Sequence, residues 1–261
     1  MSHKRFGGLL VPVATPYDAR LAPDAAALVD HCNWLLAQGA DGLALFGTTS
    51  EANSLGLDER VALLEAVVAA GIPAARLMPG TGTCALPDSI RLTAHATALG
   101  CGGVLMLPPF YYKGVGETGL VDYFAELIDR VADARLRLYL YHIPPVAQVG
   151  IPIGLVAALA ARYPETLAGI KDSSGDWQHT VRLIDEFPQL AIFPGSEAFL
   201  LDGLRHGGAG CITATGNVNP AGIRAVCSHW QTDEADALQA RAGAVRQAVQ
   251  AHPVIPAVKA Q

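Results

Sequence analysis

One arrangement recurs along the chain and restricts its fold more than any other feature. A short apolar run ends in a cluster of Gly, Pro, Ser or Thr, and a longer Ala- and Leu-rich stretch with helical spacing follows. The runs are LLVPVAT, GLALFG, RLMPG, GVLMLPP, RLYLYHIP, LAGIK, AIFPG and GCITAT, eight in all. Between them lie helical segments such as PDAAALVDHCNWLLAQG, LDERVALLEAVVAAG, PDSIRLTAHATALG, GLVDYFAELIDRV and IGLVAALAARY. Several open on Asp or Pro and close on Gly, the usual helix punctuation. Runs that are apolar at nearly every position are strands covered on both faces, and their alternation with helices implies a parallel sheet. Eight such units predict an α/β fold, a closed (β/α)8 TIM barrel.

No low-complexity linker divides the chain, so residues 1–261 are expected to form one barrel domain. Residues 232–261 are expected to be a C-terminal helical extension. Within it, TDEADALQARAGAVRQAVQA predicts an additional helix outside the barrel, and the chain then stops at PVIPAVKAQ without obvious capping.

Half of the residues are apolar and 16% are charged, enough for a large core and too ordered a composition for a disordered chain. The formal net charge of -6 argues against nucleic-acid and anionic-membrane partners, both of which demand clustered Lys and Arg. No apolar stretch is long enough to span a bilayer, and MSHKRFGGLL lacks the apolar core of a secretory signal. Cys32, Cys84, Cys101, Cys211 and Cys227 form no C-x-x-C pair, which suits a reducing compartment. The expected location is cytoplasmic.

In a barrel of this kind the loops after the strands build the active site. The chain has four lysines. Lys4, Lys113 and Lys259 fall near a terminus or in a turn, whereas Lys171 closes the apolar run LAGIK. Desolvation at such a position favours the neutral, nucleophilic amine. The competing role is a rim lysine that extends to solvent and pairs with Asp172. Tyr141 ends the neighbouring fifth run, where it is either a proton carrier for an amine or an amphipathic core residue with a satisfied hydroxyl. Gly47, Thr48 and Thr49 end the second run. Their hydroxyls and backbone N–H groups suit a carboxylate, although Thr is also an ordinary cap residue.

Taken together, these stretches resemble the Schiff-base-forming family of dihydrodipicolinate synthase and N-acetylneuraminate lyase, the class I pyruvate-dependent aldolases. GTTSE resembles the family's GTTGE, YHIPP its Y-N-x-P, and GIKDSSGD its G-x-K-x-x-S/T-G-D. PGTGT, PPFYYKG, FPGSE and GCITATGNV match in order and spacing. The resemblance implies that Lys171 attacks the keto carbon of pyruvate or a longer 2-oxo acid. It implies that Tyr141 moves the protons, that Thr48 and Thr49 hold the carboxylate, and that Thr48 links Tyr141 to a second tyrosine, Tyr112, supplied by a neighbouring subunit. It further implies that Gly195 and Ile212 line the pocket near pyruvate, that Ser173 lies beside the distal part of the substrate, and that the assembly is a homotetramer or homodimer. No metal or organic cofactor is implied.

Three departures bear on the substrate. Val146 stands where dihydrodipicolinate synthases place an arginine after Y-N-x-P, and no other guanidinium is nearby in sequence. GSEAF and TATGN leave only Glu197 acidic and put Ala214 where sialic acid lyases carry a serine, and Ser50 replaces the usual glycine of GTTGE. His142 either contacts substrate or packs away from it. Family members also continue past P-x-I-P-A-x-K with further helix, an element by which this chain is expected to be short. The expected activity is cleavage or formation of a 2-oxo-3-deoxy sugar acid or similar 4-hydroxy-2-oxo acid. The alternatives are 4-hydroxy-tetrahydrodipicolinate synthesis or deoxy-sugar-acid dehydration through the same lysine, and a non-catalytic barrel that binds a 2-oxo acid.

Overall fold

A computed structural model describes residues 5–260; Lys4 lies outside them. The parallel strands are β1 (Gly8–Val11), β2 (Gly42–Leu43), β3 (Val104–Met106), β4 (Leu138–His142), β5 (Leu167–Asp172), β6 (Ala191–Pro194) and β7 (Gly210–Ile212). They pair in two runs, β2-β1-β7 and β3-β4-β5-β6. Residues 77–80 join the runs on one side through single bridges, Leu43 to Leu77 and Gly80 to Leu105. On the other side Ala209 donates to the Ile192 carbonyl at 2.9 Å and accepts from Gly8 N–H at 2.7 Å. The ring therefore closes with eight staves, as expected of a (β/α)8 barrel.

Two apolar runs make less ladder than their sequences predict, for local reasons. RLMPG contains Pro79, which has no N–H to donate, so this stave is held by Met78 to Leu43, Gly80 to Leu45 and Leu105 to Pro79 hydrogen bonds at 2.7–2.9 Å. In GLALFG, Phe46 adopts a left-handed φ of 57° that turns the chain out of the sheet into the Gly47-Thr48-Thr49 loop.

The helices are α1 (Ala25–Ala37), α2 (Leu57–Ala69), α3 (Leu86–Ala98), α4 (Glu117–Val131), the short α5 (Pro144–Ala147), α6 (Ile153–Arg162), α7 (Trp177–Glu186), α8 (Leu200–Arg205), α9 (Pro220–His229), α10 (Ala235–Gln250) and α11 (Val254–Lys259). Asp24 caps α1 by accepting from Ala27 N–H, and Asp176 caps α7 by accepting from Gln178 and His179 N–H. The C-terminal extension holds two helices where the sequence predicts one. Pro253 cannot continue α10 and instead begins α11, so Lys259 is helical rather than a tail residue. Lys259 pairs with Glu51 at 3.0 Å and covers the Tyr17 ring, tying the extension to the loop after β2.

Strand pleat sorts the core into two populations. Leu9, Val11, Leu140, Ile170 and Ile192 belong to the layer packed with the helices. Leu10, Met78, Leu105, Tyr139, Tyr141, Phe193 and Ile212 form the barrel interior. In register, Tyr139, Gly169 and Ala191 make one row across β4, β5 and β6, and Tyr141, Lys171 and Phe193 make the row above it. A Cβ at position 169 would meet the Tyr139 ring and the Ala191 carbonyl oxygen, so glycine is required beneath the lysine. The interior is filled by a large aromatic below and presents an amine at its mouth.

Candidate active site

Lys171 is the penultimate residue of β5, one short of the strand end, and it is buried. Parallel pairing sets it beside Tyr141 on β4. Its Nζ donates to the Tyr141 hydroxyl at 3.2 Å and stands 4.2 Å from the centre of the Tyr141 ring. The same hydroxyl lies 3.4 Å from Thr48 Oγ1, which the turn at Phe46 delivers to the strand rim. Burial raises the pKa of the Tyr141 phenol. The Lys171 ammonium and hydrogen bonds from Thr48, Lys171 and Ser173 outweigh that effect and bring it below its ordinary value. A phenol so placed exchanges a proton with its neighbours more readily than a free tyrosine does.

Lys171, Tyr141, Thr48, Thr49, Ser173 and Gly195 line one cavity of about 240 Å³ at the C-terminal rim. That is below the ~300–1,000 Å³ of sites for drug-sized ligands, a size for a small metabolite. Gly195 abuts Ser173, and a Cβ on it would collide with the serine Oγ and Cβ. Ile212 is fully buried in the interior and does not line this cavity. Tyr112 stands outside it, exposed and packed edge-on against Tyr111. Val146 is largely exposed and belongs to an adjoining groove with Glu51, Leu107 and Phe110.

Lys113 donates to the carbonyls of Phe110 and Ala147 and so clamps its own loop. Burial pushes the Cys32, Cys101 and Cys227 thiols up to about 12, which leaves them inert as nucleophiles. Lys171 is the one lysine that lines the cavity.

Behind the wall, the residues that follow Tyr141 and Lys171 meet each other. His142 faces away from the cavity: its Nδ1 accepts from Ile151 N–H at 2.8 Å, and its ring stacks on His179 at 4.5 Å. Asp172 accepts from Thr180 Oγ1 at 2.7 Å and from Ser174 N–H at 2.9 Å, and its Oδ2 lies 2.9 Å from His179 Nδ1. Burial raises the Asp172 pKa, but bonds from His179, Ser174 and Thr180 bring it below the ordinary value. The bond to Asp172 raises that of His179 despite burial. Burial lowers that of His142 to about 4. These three are the residues with metal-ligand spacing among those described, and Nδ1 of each histidine and both Asp172 oxygens take part in hydrogen bonds. With its aspartate held by the histidine and Thr180, Lys171 is left to Tyr141.

Sequence reasoning missed Arg246. It reaches the cavity from α10 and donates through Nη1 to Glu197 Oε2 at 2.8 Å. Glu197 is buried and also accepts from Thr213 and Thr215.

Fold and site together define a (β/α)8 barrel enzyme whose rim pocket is centred on a buried lysine and its tyrosine. The chain belongs to the dihydrodipicolinate synthetase family, whose sequence model matches residues 5–261. Members of this family are lyases of the class I aldolase type, and this chain is an enzyme of that kind. It is 39% identical over 256 residues to a DapA-like lyase of Chloroflexus aurantiacus, covering 97% of this chain and 85% of the relative. The crystal structure of dihydrodipicolinate synthase from Agrobacterium tumefaciens superimposes with a TM-score of 0.87 at 34% identity, covering 97% of this chain and 86% of that one. YagE of Escherichia coli K12, solved in complex with pyruvate, gives 0.88 at 26% identity and covers 97% and 86%. Among the described residues no helix is long and apolar enough to cross a membrane.

Proposed function

We propose that this lyase forms a Schiff base between Lys171 and pyruvate or a longer 2-oxo acid, and makes or breaks the C3–C4 bond of a 2-oxo-3-deoxy sugar acid or similar 4-hydroxy-2-oxo acid. The observation that carries the reading is the 3.2 Å bond between the buried Lys171 amine and the Tyr141 hydroxyl, itself within reach of Thr48. The pyruvate bound to YagE supports the choice of a 2-oxo acid.

The steps follow from this geometry. The free amine attacks the keto carbon, and Tyr141 returns the proton to the developing alkoxide and then to the departing hydroxide, which leaves as water. The iminium at C2 takes up the electron pair of the C3–C4 bond, and the C4 hydroxyl gives its proton to the Tyr141 phenolate left by the dehydration as the aldehyde departs. Thr48 and Thr49 hold the carboxylate beside the iminium. Protonation at C3 and hydrolysis of the imine release pyruvate and the amine.

A homo-oligomer is part of this reading. The exposed Tyr111, Tyr112 and Val115 form an apolar loop suited to a second copy, from which Tyr112 would complete the Thr48–Tyr141 relay of its neighbour. The barrel of residues 1–261 is taken as one domain with 232–261 as its extension. Unpaired cysteines accord with a cytoplasmic site of action.

The second reading keeps the lysine and changes the outcome to 4-hydroxy-tetrahydrodipicolinate synthesis or dehydration. Val146 speaks against the synthase, because an apolar side chain in an outer groove cannot clamp a carboxylate. Borohydride reduction with pyruvate, followed by peptide mass spectrometry, tests the common step. A pyruvyl adduct on the Lys171 peptide is expected, and its absence would remove the Schiff base. With hydroxylated 2-oxo acids, release of pyruvate identifies cleavage, and loss of water without pyruvate identifies dehydration.

A further inference from the structure

Arg246 is the feature of the cavity that the steps above leave unused. Its side chain, 18% exposed, crosses from α10 to line the same cavity as Lys171. Both Nη1 contacts are to residues that do not line the cavity, Glu197 Oε2 at 2.8 Å and Thr213 Oγ1 at 3.3 Å. Glu197 accepts from Arg246 and Thr213 at Oε2 and from Thr215 at Oε1, and Gln239 donates to its backbone carbonyl at 2.8 Å. The guanidinium is thus anchored by a buried carboxylate that does not itself line the cavity. Its Nε and Nη2 donors take no hydrogen bond among the described residues and are not sealed from solvent. That Nε–Nη2 edge is the one that grips a carboxylate through two parallel bonds.

The charges of the cavity point the same way. Lys171 and Arg246 are its cations, and the one acid in its wall, Asp172, is committed to His179, Thr180 and Ser174. Glu197 balances the charge of Arg246, and a monoanionic substrate bound at Thr48 and Thr49 leaves the arginine's Nε–Nη2 edge without an acceptor. We infer that Arg246 anchors a second carboxylate, at the far end of the substrate, and that the enzyme selects dicarboxylic 2-oxo acids over monocarboxylic ones. This inference rests on the Schiff-base reading for its orientation, with C2 at Lys171 and the distal carboxylate at Arg246. It also gives α10 a function beyond packing, since the helix supplies a guanidinium where Val146, in the adjoining groove, supplies none.

Titration calorimetry on the full chain tests it, with 2-oxoglutarate against 2-oxopentanoate and 2-oxoadipate against 2-oxohexanoate, pairs equal in length and differing in the distal carboxylate. The wild type is expected to bind the diacid at least about tenfold tighter in one of the pairs, the worth of a charge-assisted hydrogen bond. Arg246→Met should abolish that preference. Because this variant strands the buried Glu197 charge, the double variant Arg246→Met/Glu197→Gln is measured beside it, and it too should treat each pair alike. Equal affinity within both pairs in the wild type, or a preference that survives in the double variant, would overturn the inference. Borohydride trapping on the same samples reports on Lys171 separately. A diacid preference lost with Arg246 but without an adduct would sink the Schiff base and uphold the anion site.

Discussion

Tyr141 and Lys171 are register partners on adjacent parallel strands, and their functional atoms meet at 3.2 Å inside the mouth of the barrel. Neither side chain has to move for a proton to pass between them. Removing the hydroxyl while keeping the ring isolates that role. Tyr141→Phe is expected to slow imine formation by about 10²–10⁴-fold, the range of a positioned acid–base group, in rapid-mixing measurements. A rate near that of the wild type would place the proton route elsewhere.

Among the described residues the Lys171 side chain hydrogen-bonds to Tyr141 alone, so the fold is expected to survive its removal. Lys171→Ala should abolish turnover while leaving the circular dichroism spectrum and melting temperature close to those of the wild type. Retained turnover would remove the mechanism.

Gly195 has no room for a methyl group, because Ser173 occupies that space on the facing strand end. Gly195→Ala should therefore displace Ser173, cost about 1–3 kcal/mol in chemical denaturation and raise KM. An unchanged KM would show that Ser173 and Gly195 lie outside the substrate's path.

Tyr112 bears a hydroxyl that serves no partner in its own subunit among the described residues. If the proposed shared site holds, Tyr112→Phe is expected to lower turnover at least about tenfold while leaving the mass measured by light scattering equal to that of the wild type. A fully active, strictly monomeric protein would contradict the shared site.

The Asp172–His179 pair makes stability depend on pH. The folded pKa of His179 is raised above 6.5, so its contribution is complete below that value and is lost as the pH climbs through the raised one. Asp172 is lowered from 3.8, so its contribution is present above that value and fades as the pH falls through the lowered one. The pair is therefore fully effective between about pH 4 and 6.5. His179→Gln should reduce the melting temperature most near pH 5.5 and least near pH 9, and a reduction independent of pH would deny the ion pair. His142 acts in the opposite sense. Held near 4, chiefly by burial, it withdraws stability as the pH drops from 6.5 toward 4.

The barrel was legible in the sequence because it is written locally. Each strand advertises itself by a run of apolar residues, each helix by its period and caps, and a count of eight leaves few closures open. The lysine at the end of LAGIK, the tyrosine of YHIPP and the hydroxyls of GTTSE were likewise readable, since in this architecture the position at a strand end is already a position in the site. The directions and distances of side chains were not readable. Whether His142 faces the substrate follows from the pleat of β4, which puts Tyr141 inside and its neighbour out against His179. Ile212 and Tyr112 left the cavity for the same kind of reason: one points inward below the amine, and the other stands exposed on a loop that no element among the described residues covers. Arg246 entered it from α10, far along the chain, because helix packing against α9 brings that face over the Glu197 carboxylate. Local periodicity determined which elements form and in what order. Closure of the barrel and docking of the last helices decided which charges meet, because electrostatic contacts depend on distances through space that a linear spacing does not contain.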